Sequence, residues 1–299
     1  MVGIGVGARD TPLQVGTERF DCGYNKHSDY TPKVYDFIDP TVHYEGQTYA
    51  GKVVFITGAS RGIGAETALQ YARAGASVAL AARFSETLEG VKSLILTDRP
   101  EANVLTLRID VTNTREVERA ISETVSRFGR LDIVVANAGK PGEWTRPLLE
   151  KDPNEWWSDL EVNIRGAFNT VYFSIPHLFK TSGYVIAVGT KGAQVRIPYT
   201  SDFSVSTYAL GRLFEKIHLE YPEIKILTLH PGSILECNTK AGDRPTDSVA
   251  LSAATVLYLT SGRPTGLLEG EYVSANWDLG ELEEKWKFKV AEKDALVSS

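Results

Sequence analysis

The segment Thr57-Gly58-Ala59-Ser60-Arg61-Gly62-Ile63-Gly64 follows the apolar run Val53-Val54-Phe55-Ile56 and leads into an amphipathic stretch. Glycines at such a turn let backbone N–H groups come close to a phosphate, and the helix that starts there adds partial positive charge. A strand before the turn and a helix after it make a glycine pattern informative, and both are legible here. Gly58, Ser60, Arg61, Gly62, Ile63 and Gly64 are therefore expected to hold the pyrophosphate of a dinucleotide. The end of the second strand decides which dinucleotide. Ribose hydroxyls call for a carboxylate there, a 2′-phosphate for an arginine. Aligned on Gly75-Ala76, that position is Ala82, with Arg83 directly after it and Arg61 as a second cation. NADP(H) is the expected cofactor.

A run of alternating elements must position these residues. Stretches at 53–57, 77–82, 104–109, 131–136, 183–188, 224–229 and 271–274 read as strands. Stretches at 62–75, 86–97, 113–128, 153–180, 200–221 and 247–259 read as helices between them. Strands that are apolar on both faces and alternate with helices make a parallel sheet covered on both sides. The expected fold class is α/β, a doubly wound Rossmann-type parallel sheet of about seven strands with helices on both faces. Two units are expected: an N-terminal arm over residues 1–50, and a Rossmann domain with a C-terminal tail over 51–299. The arm carries Phe20, Tyr24, Tyr30, Tyr35, Phe37, Tyr44 and Tyr49, too many aromatics for a free linker. It is expected to pack on the core or on a partner subunit, with a substrate lid as the sharper alternative.

A net charge of -6 argues against a nucleic-acid partner, which would need a basic face. No apolar run approaches the roughly 18 residues of a membrane span. The N-terminus lacks the basic and apolar regions of a signal peptide. Cys22 and Cys237 make neither a disulfide framework nor a metal cluster. A reduced, cytoplasmic setting without a metal is the expectation.

With these motifs in place, the chain from about residue 51 to about residue 276 resembles the short-chain dehydrogenase/reductase family, whose glycine loop has the form Thr-Gly-x-x-x-Gly-x-Gly. Further landmarks fall in order: Asp110-Val111 after the third strand, Asn137-Ala138-Gly139 after the fourth, Asn163 in the long helix, and Pro231-Gly232 after the sixth. The resemblance implies that Asp110-Val111 meets the adenine and Pro231-Gly232 the nicotinamide. It also implies a homodimer or homotetramer, and a hydrophobic small-molecule substrate of specialised metabolism. The stretch Tyr272-Val273-Ser274-Ala275-Asn276-Trp277 looks like fungal members.

In that family a Ser after the fifth strand orients the substrate and a Tyr exchanges a proton with its oxygen. A Lys four residues on lowers the Tyr pKa, and the Asn of the long helix holds a relay water. Residue by residue, Thr190, Phe203 and Thr207 stand at the Ser, Tyr and Lys positions, and Asn163 at the Asn. Only one tyrosine, Tyr221, has a lysine four residues on (Lys225), and Pro222 at a helix-to-strand junction keeps that pair off one helical face. Tyr208, with Arg212 four residues on, falls roughly 140° around the helix from position 203 and is expected to face the core. Tyr199 either projects into the pocket or lies on the surface. Glu236 falls where the resemblance places a Thr that holds the nicotinamide amide. Lys140, Trp144, Gln194 and Arg196 stand on loops beyond the C-terminal strand ends, where open α/β sheets bind ligands. Lys140, Gln194 and Arg196 are expected to be solvated, and Trp144 to be a pocket aromatic.

Phenylalanine has no proton to give, and general acid–base help is typically worth about 10²–10⁴-fold. Ordinary ketone reduction should be poor. Three readings stay open: hydride transfer to a substrate needing little acid help, such as an iminium or polarised C=C; a redox-neutral cyclase, isomerase or dehydratase that uses the pocket's shape and dipoles; and a non-catalytic cofactor-binding protein. Fungal reductase-like proteins that also steer cycloadditions show a similar loss, so the resemblance supports the first two.

Overall fold

The computed structural model describes residues 33–194, 196–234, 247–262, 270 and 272–286. Phe20, Tyr24, Tyr30, Cys22, Glu236 and Cys237 lie outside the described residues. One sheet holds β1 (Val53–Thr57), β2 (Ser77–Ala82), β3 (Val104–Arg108), β4 (Ile133–Ala136), β5 (Tyr184–Val188), β6 (Lys225–His230) and β7 (Tyr272–Ser274). Their spatial order is β3-β2-β1-β4-β5-β6-β7, and every neighbouring pair is parallel. Strand order reverses between β1 and β4, which opens a crevice at their C-terminal ends, the place where such sheets take ligands. Elements read from sequence recur here with ends shifted by a residue or two. The fourth strand starts at Ile133 rather than 131. Asp132 is occupied instead in bridging: its backbone N–H donates to the Val53 carbonyl at 3.0 Å and its carboxylate accepts from the Val53 N–H at 3.0 Å.

The helices are α1 (Thr41–Glu45), α2 (Gly62–Arg73), α3 (Ser85–Asp98), α4 (Thr114–Phe128), α5 (Pro153–Leu160), α6 (Ala167–Thr181), α7 (Ser201–Glu220) and α8 (Val249–Thr260). Strand alternation sorts the core into two layers. Val54, Ile56, Leu227 and Leu229 pack with α2, α3 and α8, whereas Val53, Phe55, Val185 and Ile226 pack with α4, α6 and α7. Both faces of the sheet are thus covered, which is why the strands are apolar throughout. No helix among the described residues is long and apolar enough to cross a membrane.

The stretch expected as one helix over 153–180 is divided. Between α5 and α6 lies a π-helical segment, Glu161–Gly166. Such a segment adds a residue to the turn and re-aims the side chains in it, and Asn163 is one of them. Residues 33–50 lie against the α2/α8 layer. Tyr49 is buried, its ring edge-on to Tyr71 at 4.9 Å and its hydroxyl donating to the Leu257 carbonyl. The Tyr35 hydroxyl donates to the Trp277 carbonyl at 3.1 Å and accepts from the Leu279 N–H at 2.8 Å.

Candidate functional site

The turn between β1 and α2 is held by its neighbour across the crevice. The Thr57 hydroxyl accepts from the N–H groups of Asn137 and Ala138 at 3.0 and 3.1 Å. The Asn137 amide donates to the carbonyls of Thr57 and Gly58 at 2.9 and 3.2 Å. Asn137-Ala138-Gly139 therefore braces the glycine loop. A Cβ on Gly64 would stand 2.4 Å from the Gly58 carbonyl oxygen, so only glycine allows this approach. Helix α2 opens with no side-chain cap, whereas Asn113, Asp152 and Ser248 cap α4, α5 and α8. No cap residue takes up its first N–H groups, at Gly62, Ile63 and Gly64, and those are the groups a pyrophosphate would take. Ser60 stands in the same turn and Arg61 is exposed beside it. The turn fits a dinucleotide.

At the far end of the crevice Arg83 is exposed just beyond β2. Register pairs Ala82 with Arg108, and the Arg108 guanidinium donates to the Arg83 carbonyl at 3.3 Å. Sequence reasoning missed Arg108, because its nearness to Arg83 depends on strand pairing. Asp110 turns its carboxylate onto the N–H and hydroxyl of Thr112, at 2.8 and 2.7 Å, so it shapes its own turn. Val111 is buried, and its carbonyl accepts from Asn169 at 2.9 Å. Pro231-Gly232 is pinned to the start of α8: Ser252 donates to the Pro231 carbonyl at 2.6 Å and Asp247 accepts from the Ser233 N–H at 2.6 Å.

Asn163, buried in the π segment, links three elements. Its side chain accepts from the Lys140 N–H at 2.7 Å and donates to the Lys140 carbonyl at 3.0 Å and the Ser206 hydroxyl at 2.9 Å. Lys140 itself was expected to be solvated; it is instead ion-paired to the buried Asp159 at 2.7 Å and to Glu155 at 3.2 Å. Burial opposes the Lys140 charge, but the hydrogen bond to Asp159 prevails and raises its pKa. At Asp159 burial outweighs that ammonium and raises the carboxyl's pKa. The two directions pull against each other, and the 2.7 Å contact favours the ion pair.

Phe203 and Thr207 lie one turn apart on α7, with the Thr207 hydroxyl donating to the Phe203 carbonyl at 2.7 Å. The Phe203 ring meets Trp144, centroids 5.3 Å apart and planes inclined by 44°. Trp144 is half-buried and its indole N–H donates to the Pro141 carbonyl at 2.6 Å. The expected pocket aromatic is thus brought to the residue at the tyrosine position. Thr190 caps the short turn Lys191–Ala193, accepting from the Gly192 N–H at 3.0 Å. Thr190, Thr207, Tyr208, Gly211, Thr228 and Tyr272 line a small, partly open pocket. Tyr208 does not face the core: it is 38% exposed, because its side of α7 borders this pocket. Tyr199 is 47% exposed with φ 69°, a backbone state uncommon outside glycine. Gln194 and Arg196 are exposed as expected.

Two further features carried no signal in the sequence. Lys151 and Asp202 form a buried ion pair at 2.7 Å, with the Lys151 ammonium also donating to the Tyr199 carbonyl at 2.8 Å. This pair ties the loop bearing Trp144 to the start of α7. His230, the last residue of β6, is buried, and neither ring nitrogen has a partner among the described residues. Burial pushes its pKa down to about 3, and the nearby Lys191 charge adds to that.

The sequence profile described as short chain dehydrogenase matches residues 52–246. Short chain dehydrogenase mpl6 of Monascus purpureus is 36% identical over 266 residues, spanning 84% of this chain and 89% of the relative. Short chain dehydrogenase pigC of Monascus ruber is 32% identical over 308 residues, spanning 97% of this chain and 95% of the relative. Among solved structures, an alcohol dehydrogenase from the archaeon Thermococcus sibiricus complexed with 5-hydroxy-NADP superposes with TM-score 0.66 at 28% identity, over 75% of this chain and 95% of that one.

Proposed function

We propose that this chain, which belongs to the short-chain dehydrogenase family, binds NADP(H) and passes hydride to a hydrophobic small molecule needing little acid assistance. The substrate class is an iminium, or a polarised C=C whose enolate then takes a proton from a donor such as Thr190 or Tyr199. The observation that carries this is the aromatic corner of Phe203 on Trp144. At the family's tyrosine position it offers no proton, only aromatic surface. Aromatic faces attract cations, tryptophan most strongly. An iminium that accepts hydride becomes a neutral amine, so no oxyanion needs protonating. When bound, NADPH supplies the hydride. The chain's own residues bind and orient: α2 receives the pyrophosphate, Arg83 with Arg61 and Arg108 the 2′-phosphate, and Thr190 a polar group of the substrate. Asn163 fixes the loop that borders the pocket. The 5-hydroxy-NADP of the Thermococcus relative supports the cofactor class.

This reading extends to a cytoplasmic enzyme of specialised metabolism, with residues 1–50 as an arm on the domain formed by 51–299. A second copy packs on α6, where Phe168, Tyr172 and Phe179 are exposed and the first two rings lie 5.5 Å apart. The redox-neutral reading is also served by the aromatic corner, which supplies shape without acid or base. Calorimetric titration separates the cases. Micromolar NADPH binding with weaker NADH binding is expected, and Arg83→Asp should weaken NADPH far more than NADH. Equal losses would defeat the cofactor assignment, and no binding of either would leave the redox-neutral reading in front.

A further inference from the structure

His230 ends β6 at the sheet's ligand-facing edge, directly before Pro231-Gly232. It is 3% exposed, and neither ring nitrogen has a hydrogen-bond partner among the described residues. A neutral imidazole carries one N–H donor and one acceptor, and buried polar atoms are nearly always paired. Among the described residues both positions are open. Strand alternation sets His230 on the side of Thr228 and Ile226, toward α7, while Leu227 and Leu229 turn to the α8 layer. Thr228 is part of the wall of the pocket shared with Thr190 and Thr207. His230 is the next side chain on that face toward the crevice. The Lys191 charge beside it favours the neutral ring, which suits a hydrogen-bond donor and not a proton donor.

We propose that His230 donates its ring N–H to a carbonyl oxygen of the bound ligand, contacting it from the β6 side of the pocket. The inference rests on the reading that this crevice holds a nicotinamide dinucleotide and its substrate. Two sources share the chemistry: the carboxamide of the nicotinamide, and a conjugated carbonyl of the substrate. In either case the contact orients the ligand without transferring a proton.

The test is nitrogen NMR of protein labelled with 15N-histidine. The chain has 5 histidines, and the His230 signals are assigned by their loss in His230→Phe. Calorimetry with 2′,5′-ADP, NADPH, and NADP⁺ with 2-cyclohexen-1-one runs alongside. The His230 ring signals are expected to stay put with 2′,5′-ADP, which has no carbonyl. A shift with NADPH identifies the carboxamide, and a shift only with the enone identifies the substrate carbonyl. His230→Phe should weaken that carbonyl-bearing ligand about five- to tenfold and leave 2′,5′-ADP unchanged, while His230→Gln, which keeps an N–H donor, retains most of the affinity. Should His230→Phe fail to fold, the wild-type titrations, with assignment by His230→Gln, still decide. Binding of the dinucleotides with the His230 signals unmoved by both carbonyl ligands would overturn the inference and spare the cofactor reading. No binding of either 2′,5′-ADP or NADPH would defeat the cofactor reading, and the inference with it.

Discussion

Phe203 changes what its neighbours on α7 can do. A phenol there would need a cation to lower its pKa, and Thr207, whose hydroxyl is spent on the Phe203 carbonyl, offers none. Restoring both groups tests whether the surrounding pocket is otherwise competent. The double variant Phe203→Tyr with Thr207→Lys should raise turnover of simple ketones by about 10²-fold or more, the low end of what acid–base help contributes. Initial rates with NADPH measure it, and an unchanged rate would mean that substrate placement also differs. The glycine loop was readable from residue type and order alone, because glycine at a strand-to-helix turn has a steric reason to be there, whereas its partner Asn137 stood out only through the family resemblance. Arg108 was not readable, since only the β2–β3 register brings it to Arg83. Nor was His230, whose spacing to any other polar residue says nothing.

At the level of elements, the helices that frame the pocket are joined by polar contacts between distant parts of the chain. Trp156 in α5 donates to Ser201 at 3.0 Å, Asn163 reaches Ser206, and Lys151 pairs with Asp202. The last pair is buried on both sides, at 4% and 2% side-chain exposure, so removing one partner strands a charge. Lys151→Met should cost about 3–5 kcal/mol in urea unfolding. Lys151→Met with Asp202→Leu should recover much of that loss, since no charge is then left alone. A loss below about 1 kcal/mol in the single variant would place the pair among weak surface bridges. Strand and helix existence was legible here because hydrophobic periodicity reports burial, which the sheet and its two layers impose. The π segment was not, since its sequence has the same spacing as a helix and only the packing of Asn163 between Lys140 and Ser206 reveals the added residue.

For the whole molecule, His230 sets an acid limit. Its folded-state pKa, about 3, lies below the ordinary 6.5. The unfolded chain therefore takes up a proton below pH 6.5 that the folded chain refuses until pH nears 3, so this contribution is intact above 6.5 and lost as pH falls. The slope amounts to about 1.4 kcal/mol per pH unit. Urea unfolding of wild type and His230→Phe between those limits should diverge in slope by that much, and parallel curves would contradict the burial of a neutral ring. Assembly is a second property at this scale. Phe168→Glu with Tyr172→Glu should yield monomers by analytical ultracentrifugation if the exposed α6 face joins two copies, and an unchanged oligomer would move the interface elsewhere. The central claim, hydride transfer without an acid, is tested most directly with NADPH deuterated at nicotinamide C4. Mass spectrometry of the product from a cyclic N-methyl iminium should show one deuterium on the former iminium carbon, while a matched cyclic ketone stays almost unreduced. Ready deuteration of the ketone, or an iminium recovered without deuterium, would contradict the account.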